Sequence, residues 1–220
     1  MALDALNAIT PFCAKGITCD LKSFDSVRQA AAETKKALDH IDICILNAGI
    51  MLVPVELIDG IESEQYVNHF SHFLLLAQLY PLLQAAPTRP RVVSLSSAAH
   101  GAGDGNVSIK SVILLHSSTS KPDYWKRHES IEAYNQLCKD SGSSFVPYGN
   151  SKLANVLHMR KMAEIDADIG FYAVHPGIVD TELGRYWAVN SPWIARAMGW
   201  VISMFQKTAV QGAQTSLYCA

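Results

Sequence analysis

The sequence is poor in charge, and what charge it has nearly cancels. Only 17% of its 220 residues are Asp, Glu, Lys or Arg, and 18 basic against 20 acidic side chains leave a formal net charge of −2. No basic run occurs, which excludes a nucleic-acid binder that works by neutralising phosphates. Cys13, Cys19, Cys44, Cys138 and Cys219 are odd in number, scattered and without a CxxC pair. Neither a disulfide framework nor a zinc ribbon is therefore indicated. No metal site is expected either: His69 and His72 stand three apart but have no third ligand nearby in the pattern. A long apolar run is also missing, since Gln78 and Pro81 break one apolar region and Arg196 the other, short of the roughly 20 residues a membrane span needs. The opening MALDALNAITPF lacks the basic and apolar regions of a signal peptide. A cytoplasmic, reducing location is the expectation, with association to the endoplasmic reticulum left open.

What is present in quantity is apolar side chain, 49% of the chain. That proportion excludes an intrinsically disordered protein, and the length suits one domain. Elements alternate in a way that predicts an α/β fold with a parallel sheet covered by helices. Strands are predicted at Ile17–Cys19, Ile41–Leu46, Arg91–Leu95 and Phe171–Val174, the second buried on both faces. Helices are predicted from Phe24 to Leu38 with Ser23 as N-cap, from Glu62 to Ala86 with a bend or end near Pro81, and from Tyr148 to about Asp166. Residues 101–147 break the rhythm with a Gly-, Ser- and Lys-rich stretch, read as a lid, an insertion with its own short helices or a gene-model artefact.

Ligands of parallel α/β sheets sit beyond the carboxyl ends of the strands. Those ends here carry Asp20, Asn47-Ala48-Gly49, Ser96-Ser97 and His175-Pro176-Gly177, small or turn-forming residues that let a backbone approach a ligand closely. Tyr148 and Lys152 lie four apart on one helix, hence on one face. An ammonium beside a phenol favours the phenolate, so a lowered Tyr148 pKa and an acid/base role in alcohol–carbonyl chemistry are expected.

The ordered series CDL (19–21), NAG (47–49), VNHFSHFLL (67–75), RVVSLSS (91–97), YGNSK (148–152) and HPGIVDTEL (175–183) resembles the short-chain dehydrogenases/reductases. YGNSKLANVL, HPGIVDTEL and GAQTSLYCA are most similar to the branch that holds the retinol dehydrogenases and WW-domain-containing oxidoreductase. The resemblance implies a single Rossmann-like, doubly wound dinucleotide-binding domain over residues 1–220. It implies NAD or NADP as cofactor, with the choice unreadable, and a small apolar alcohol or carbonyl (retinoid-, steroid- or lipid-like) as substrate. By that resemblance Tyr148 is the general acid/base, Lys152 lowers its pKa and binds the nicotinamide ribose, and Ser97 rather than Ser96 holds the substrate oxygen. Asn68 helps hold a relay water. Asp20 meets the adenine, Asn47, Ala48 and Gly49 the adenosine ribose, and Pro176, Gly177, Val179 and Thr181 line the nicotinamide. The aromatic-rich segment 186–200 is open between core, substrate-covering lid and membrane-facing patch, with apolar substrate contact favoured.

The chain departs from the family pattern in several places. No Gly-rich phosphate signature is found near the start, residues 2–9 resemble the helix before the Asp20 strand, and the sequence stops at Ala220 within a predicted helix. The expectation is a sheet lacking its first two strands, first helix and last strand. With strand order 3-2-1-4-5-6-7, that leaves a gap of roughly 14 Å beside the Ile41–Leu46 strand. Leu46 stands where the family often has Asn, Ser71 where Gly is usual, and the Ser97-to-Tyr148 spacing is long. Two readings compete: an oxidoreductase, and a cofactor-defective fragment or isoform that binds a protein partner such as a second copy or a full-length relative. Membrane association is left open as well.

Overall fold

A computed structural model describes residues 14–102, 130–179 and 206–220. Three parallel strands form its main sheet in the order β1 (Ile43–Leu46), β4 (Arg91–Leu95), β5 (Gly170–Val174). Ile45 stands opposite Val93, and Val93 opposite Tyr172. A short antiparallel hairpin, β2 (Leu57–Ile58) and β3 (Ile61–Glu62), lies apart from it. Its turn, Asp59-Gly60, has positive φ at both residues (51° and 80°), as a tight two-residue hairpin requires.

Helix α1 (Phe24–Ala37) begins where Ser23 accepts the Ser26 N–H, the predicted cap. Its small buried face of Val27, Ala30 and Ala31 packs on α2 (Ser71–Gln84). The chain enters α2 through a helical turn at Ser63–Gln65 and a π-helical segment, Tyr66–Phe70. Pro81 lies inside α2, and the helix runs on to Gln84. The helix thus ends within a turn of Pro81, as expected, and a further irregularity falls at Tyr66–Phe70, where the widened turn carries Asn68. Helices α3 (Ile131–Asp140) and α4 (Phe145–Ile165) follow, and α5 (Ala209–Cys219) starts with a capping box between Thr208 and Gln211.

The core joins Leu46, Val92 and Ile169 of the sheet region to Leu76 and Leu83 of α2 and Met159 of α4. Helix α5 touches β4 and β5. Within the stretch 101–147 the described part includes α3, whose Asn135 clamps the hairpin by accepting the Glu62 N–H at 3.0 Å and donating to the Gly60 carbonyl at 2.7 Å.

Two strand expectations need correction. Ile17–Cys19 is not a strand: no described strand pairs with it, and the chain after it turns directly into α1. There the Asp20 N–H donates to Ser26 Oγ, its carboxylate accepts the Lys22 N–H and its carbonyl accepts the Ser23 N–H, so these polar groups are spent on a helix-entry turn. β1 is not buried on both faces either. Cys44 and Leu46 face the core, but Ile43 and Ile45 are 42% and 43% exposed, because no described helix covers their side. Among the described residues β1 also has no neighbour on its outer edge. No helix among the described residues is long and apolar enough to cross a membrane.

Candidate active site

Helix α4 presents Tyr148 and Lys152 toward the carboxyl end of β4, and both are 5% exposed. The Lys152 ammonium lies 5.7 Å from the centre of the Tyr148 ring and donates to the Leu95 carbonyl at 3.2 Å. Burial of that ammonium favours its neutral form and lowers its pKa to about 8, against the pull of the Glu64 carboxylate. The short helix at Ala98–Ala102 packs on α4. It brings the half-buried Ser97 to Tyr148 despite the long separation in sequence, and the Ser97 hydroxyl hydrogen-bonds the phenol. Ser96 turns the other way, donating from its hydroxyl to the Lys152 carbonyl at 2.9 Å. The geometry thus separates the two serines, one facing the phenol and one fixing the helix.

The phenol itself corrects an expectation. Burial pushes the Tyr148 pKa up; the Ser97 hydrogen bond opposes this and the Glu64 charge adds to it. The Lys152 ammonium, 5.7 Å from the ring centre, does not reverse the sign. At neutral pH Tyr148 is therefore a protonated phenol in this structure, poised as a donor.

Asn68, wholly buried, is the bracket of the site. Its amide oxygen accepts the Ile50 N–H at 2.8 Å, and its amide nitrogen donates to the Ile50 carbonyl at 2.9 Å and to Ser151 Oγ at 3.0 Å. Its backbone carbonyl accepts from Asn155 at 3.1 Å and faces His72 Nδ1 at 3.2 Å. Through these bonds Asn68 positions the loop after β1. Gly49 stands in that loop: a Cβ there would lie 2.9 Å from Asn68 Oδ1 and 3.5 Å from Lys152 Nζ. Only a residue without a side chain leaves the space above the ammonium open.

The other predicted residues sit further out. Asn47 and Ala48 are exposed beyond β1, and Asp20 is exposed with its carboxylate engaged by Lys22. Pro176 and Gly177 follow β5, Gly177 with φ of 92°, and the Pro176 carbonyl accepts from Lys207 at 3.2 Å. Val179 bridges to Lys207. Thr181, the segment 186–200 and residues 2–9 lie outside the described residues. His69 and His72 are buried and separately engaged, His69 Nδ1 with Asn155 Oδ1 at 3.0 Å.

Three functional candidates escaped the sequence reading. Lys207 has no motif around it. Ser151 is bound to Asn68 and to the Tyr148 carbonyl. Glu64 is fully buried, and its carboxyl pKa rises to about 8 because burial and the Glu62 charge outweigh the Val53 and Leu52 N–H groups and Lys152. An acidic residue in a helix's first turn ordinarily reads as a favourable partner of the helix dipole, so nothing local marked it.

Known proteins bear on this geometry directly. A family model described as short chain dehydrogenase matches residues 2–109. The chain is 34% identical over 205 residues to human retinol dehydrogenase 11, covering 91% of this chain and 54% of the relative. It is 32% identical over 205 residues to the WW domain-containing oxidoreductase of Drosophila melanogaster, covering 91% and 43%. The chain is similar to the short-chain dehydrogenases. Among solved structures, its fold resembles the 3-alpha-hydroxysteroid dehydrogenase from Pseudomonas sp. B-0831 complexed with NADH, with a TM-score of 0.64 at 20% identity over 89% of this chain and 74% of the other. The α/β, Rossmann-like parallel sheet is thereby shown. The chain spans about half the length of the curated relatives it matches.

Proposed function

We propose that this chain carries the acid/base half of an NAD- or NADP-dependent oxidoreductase that interconverts an alcohol and a carbonyl on an apolar, retinoid-, steroid- or lipid-like substrate. The observation that carries the reading is the half-buried Ser97 beside the buried Tyr148 and Lys152 at the end of β4, next to the side-chain-free Gly49. The residues present fit the nicotinamide end of such a cofactor. Lys152 has N–H groups beyond the one given to Leu95, and the glycine leaves room for a ribose above it. The bound cofactor supplies or accepts the hydride.

The chain's own residues handle the proton and the geometry. Ser97 hydrogen-bonds the substrate oxygen and Tyr148 donates its phenolic proton to that oxygen in reduction, or takes it in oxidation. Lys152 holds the ribose and presents positive charge to the phenol. Asn68 keeps Ile50, and so Gly49, in place. Ala48 and Asn47 line the adenosine ribose, and Pro176, Gly177 and Val179 the nicotinamide. The retinoid-like substrate class rests on the retinol dehydrogenase relatives.

A second reading, a protein-binding module, is favoured by the edge of β1 that no strand among the described residues pairs, and by the exposed Ile43 and Ile45. Titrating the full chain with NADH and NADPH separates the two: the oxidoreductase reading expects saturable binding of one of them, and no binding of either overturns it. Tyr148→Phe should then lower turnover by about 10²–10⁴-fold while leaving cofactor affinity within a factor of two or so. Unchanged turnover removes Tyr148 from the role.

A further inference from the structure

Asn155, one helical turn after Lys152 on α4, takes no part in the proton or cofactor chemistry above, yet three elements meet at its side chain. It is 2% exposed. Its amide nitrogen donates to the Leu95 carbonyl at the end of β4 and to the Asn68 carbonyl in the Tyr66–Phe70 segment, both at 3.1 Å. Its amide oxygen lies 3.0 Å from His69 Nδ1. Those neighbours fix which way the amide faces: turned over, it would set its oxygen against two carbonyl oxygens. The amide oxygen is therefore an acceptor, and His69 carries its hydrogen on Nδ1. Phe70, Phe73 and His158 pack around the imidazole, with ring centres 5.3, 6.3 and 5.7 Å away. Its Nε2 is buried with no hydrogen-bond partner among the described residues, which suits a bare nitrogen, since a hydrogen there would find no acceptor.

The Leu95 carbonyl carries this arrangement into the site. It accepts from Asn155 and, at 3.2 Å, from the Lys152 ammonium, so one oxygen with two lone pairs takes both donors from the same face of α4. A lysine stem is long and flexible, and the place where its ammonium rests is decided by its anchor. The Asn155 amide ties that anchor to α4 and to the Tyr66–Phe70 segment at once. Building on the oxidoreductase reading, we propose that Asn155, oriented by His69, is a positioning residue for Lys152: by fixing the Leu95 carbonyl it sets where the ammonium stands beside Tyr148 and the cofactor ribose.

Two measurements on the full chain need no cofactor. In NMR of ¹⁵N-labelled histidine at neutral pH, with His69→Gln assigning the signal, His69 should carry its hydrogen on Nδ1. A ring protonated on Nε2 instead overturns the proposal, because the amide would then face away from both carbonyls. The second is acylation of Lys152 by acetic anhydride, read by mass spectrometry against the exposed Lys161 of the same helix. It should run at least about fivefold faster in Asn155→Leu, while hydrogen exchange at the Val92 and Val93 amides of β4 changes less than about twofold. Unchanged acylation overturns the proposal, and so does a rise in both rates together, which would mark a merely structural role. Should Asn155→Leu fail to fold, Asn155→Ser, too short to reach both carbonyls, takes its place with the same outcomes. Where the chain binds NADH or NADPH, Asn155→Leu should weaken the better-bound one by about tenfold, and that loss should shrink to within about twofold in a Lys152→Met background. An undiminished affinity, or a loss that persists beside Lys152→Met, overturns the functional part. Absence of cofactor binding by the wild-type chain would defeat the oxidoreductase reading alone and leave the tautomer and the acylation readable.

Discussion

Gly49 shows how much rests on a missing side chain. The Asn68 amide that a new Cβ would meet is fully buried and holds Ile50 and Ser151, so it has no room to retreat. Gly49→Ala should therefore destabilise the chain by about 1–3 kcal/mol, the usual range for overpacking a well-filled site. It should also speed hydrogen exchange at the Ile50 amide, whose acceptor is the displaced oxygen. Denaturant unfolding together with exchange measured by NMR checks both, and a variant with wild-type stability and exchange would mean that Asn68 is free to move. At this scale the sequence was legible wherever chemistry is local: Tyr148 and Lys152 meet because i and i+4 always do on a helix. The phenol's raised pKa was not legible, because burial is a property of the whole packing and no spacing reports it.

At the scale of elements, helices and central strands followed from pattern, and edges did not. Ser23 as a cap, β4 and β5 as apolar runs, and α4 as a long helix all follow from propensities that agree with tertiary packing. Ile17–Cys19 looks like a strand only until a partner is sought. Pro81 marks the end of its helix, which stops within a turn at Gln84, whereas the π-helical segment at Tyr66–Phe70 has no residue signature. The Asp59-Gly60 hairpin went unread, although Asp-Gly is a strong short-range turn signal. Its use carries no local signal: Asn135, some 75 positions away in the part of the chain that broke the pattern, holds it. Asn135→Ala should leave the Glu62 N–H and the Gly60 carbonyl without their amide partner and cost about 2 kcal/mol. Thermal unfolding reads this directly, and a loss under about 0.5 kcal/mol would show that α3 does not clamp the hairpin.

For the whole molecule, the buried titratable groups pull stability in opposite directions as pH changes. Burial holds His69 and His72 at a pKa of about 4, below the ordinary value of 6.5. The unfolded chain then binds their protons first, so each costs stability as pH falls below about 6.5, by up to about 1.4 kcal/mol per pH unit until its folded pKa is reached. Glu64 has the opposite sign. Its folded pKa of about 8 lies above 4.5, so its contribution is complete below pH 4.5 and is lost as pH rises toward 8. Between pH 4.5 and 6.5 His69 and His72, joined by the outlying His175 whose pKa is also lowered, act against Glu64 and Glu62, both raised by burial, and the histidines win. The chain should therefore lose stability on acidification across that window, and His72→Gln, which removes one of the two, should flatten most of the slope. Glu64→Gln should steepen it, because one opposing carboxyl is gone. Melting temperatures at half-unit pH steps in the three proteins check the signs together. A wild-type curve flat from pH 6.5 to 4.5 would mean that the two imidazoles are not buried neutral beneath the site, and the packing of α2 against α4 described above would be wrong.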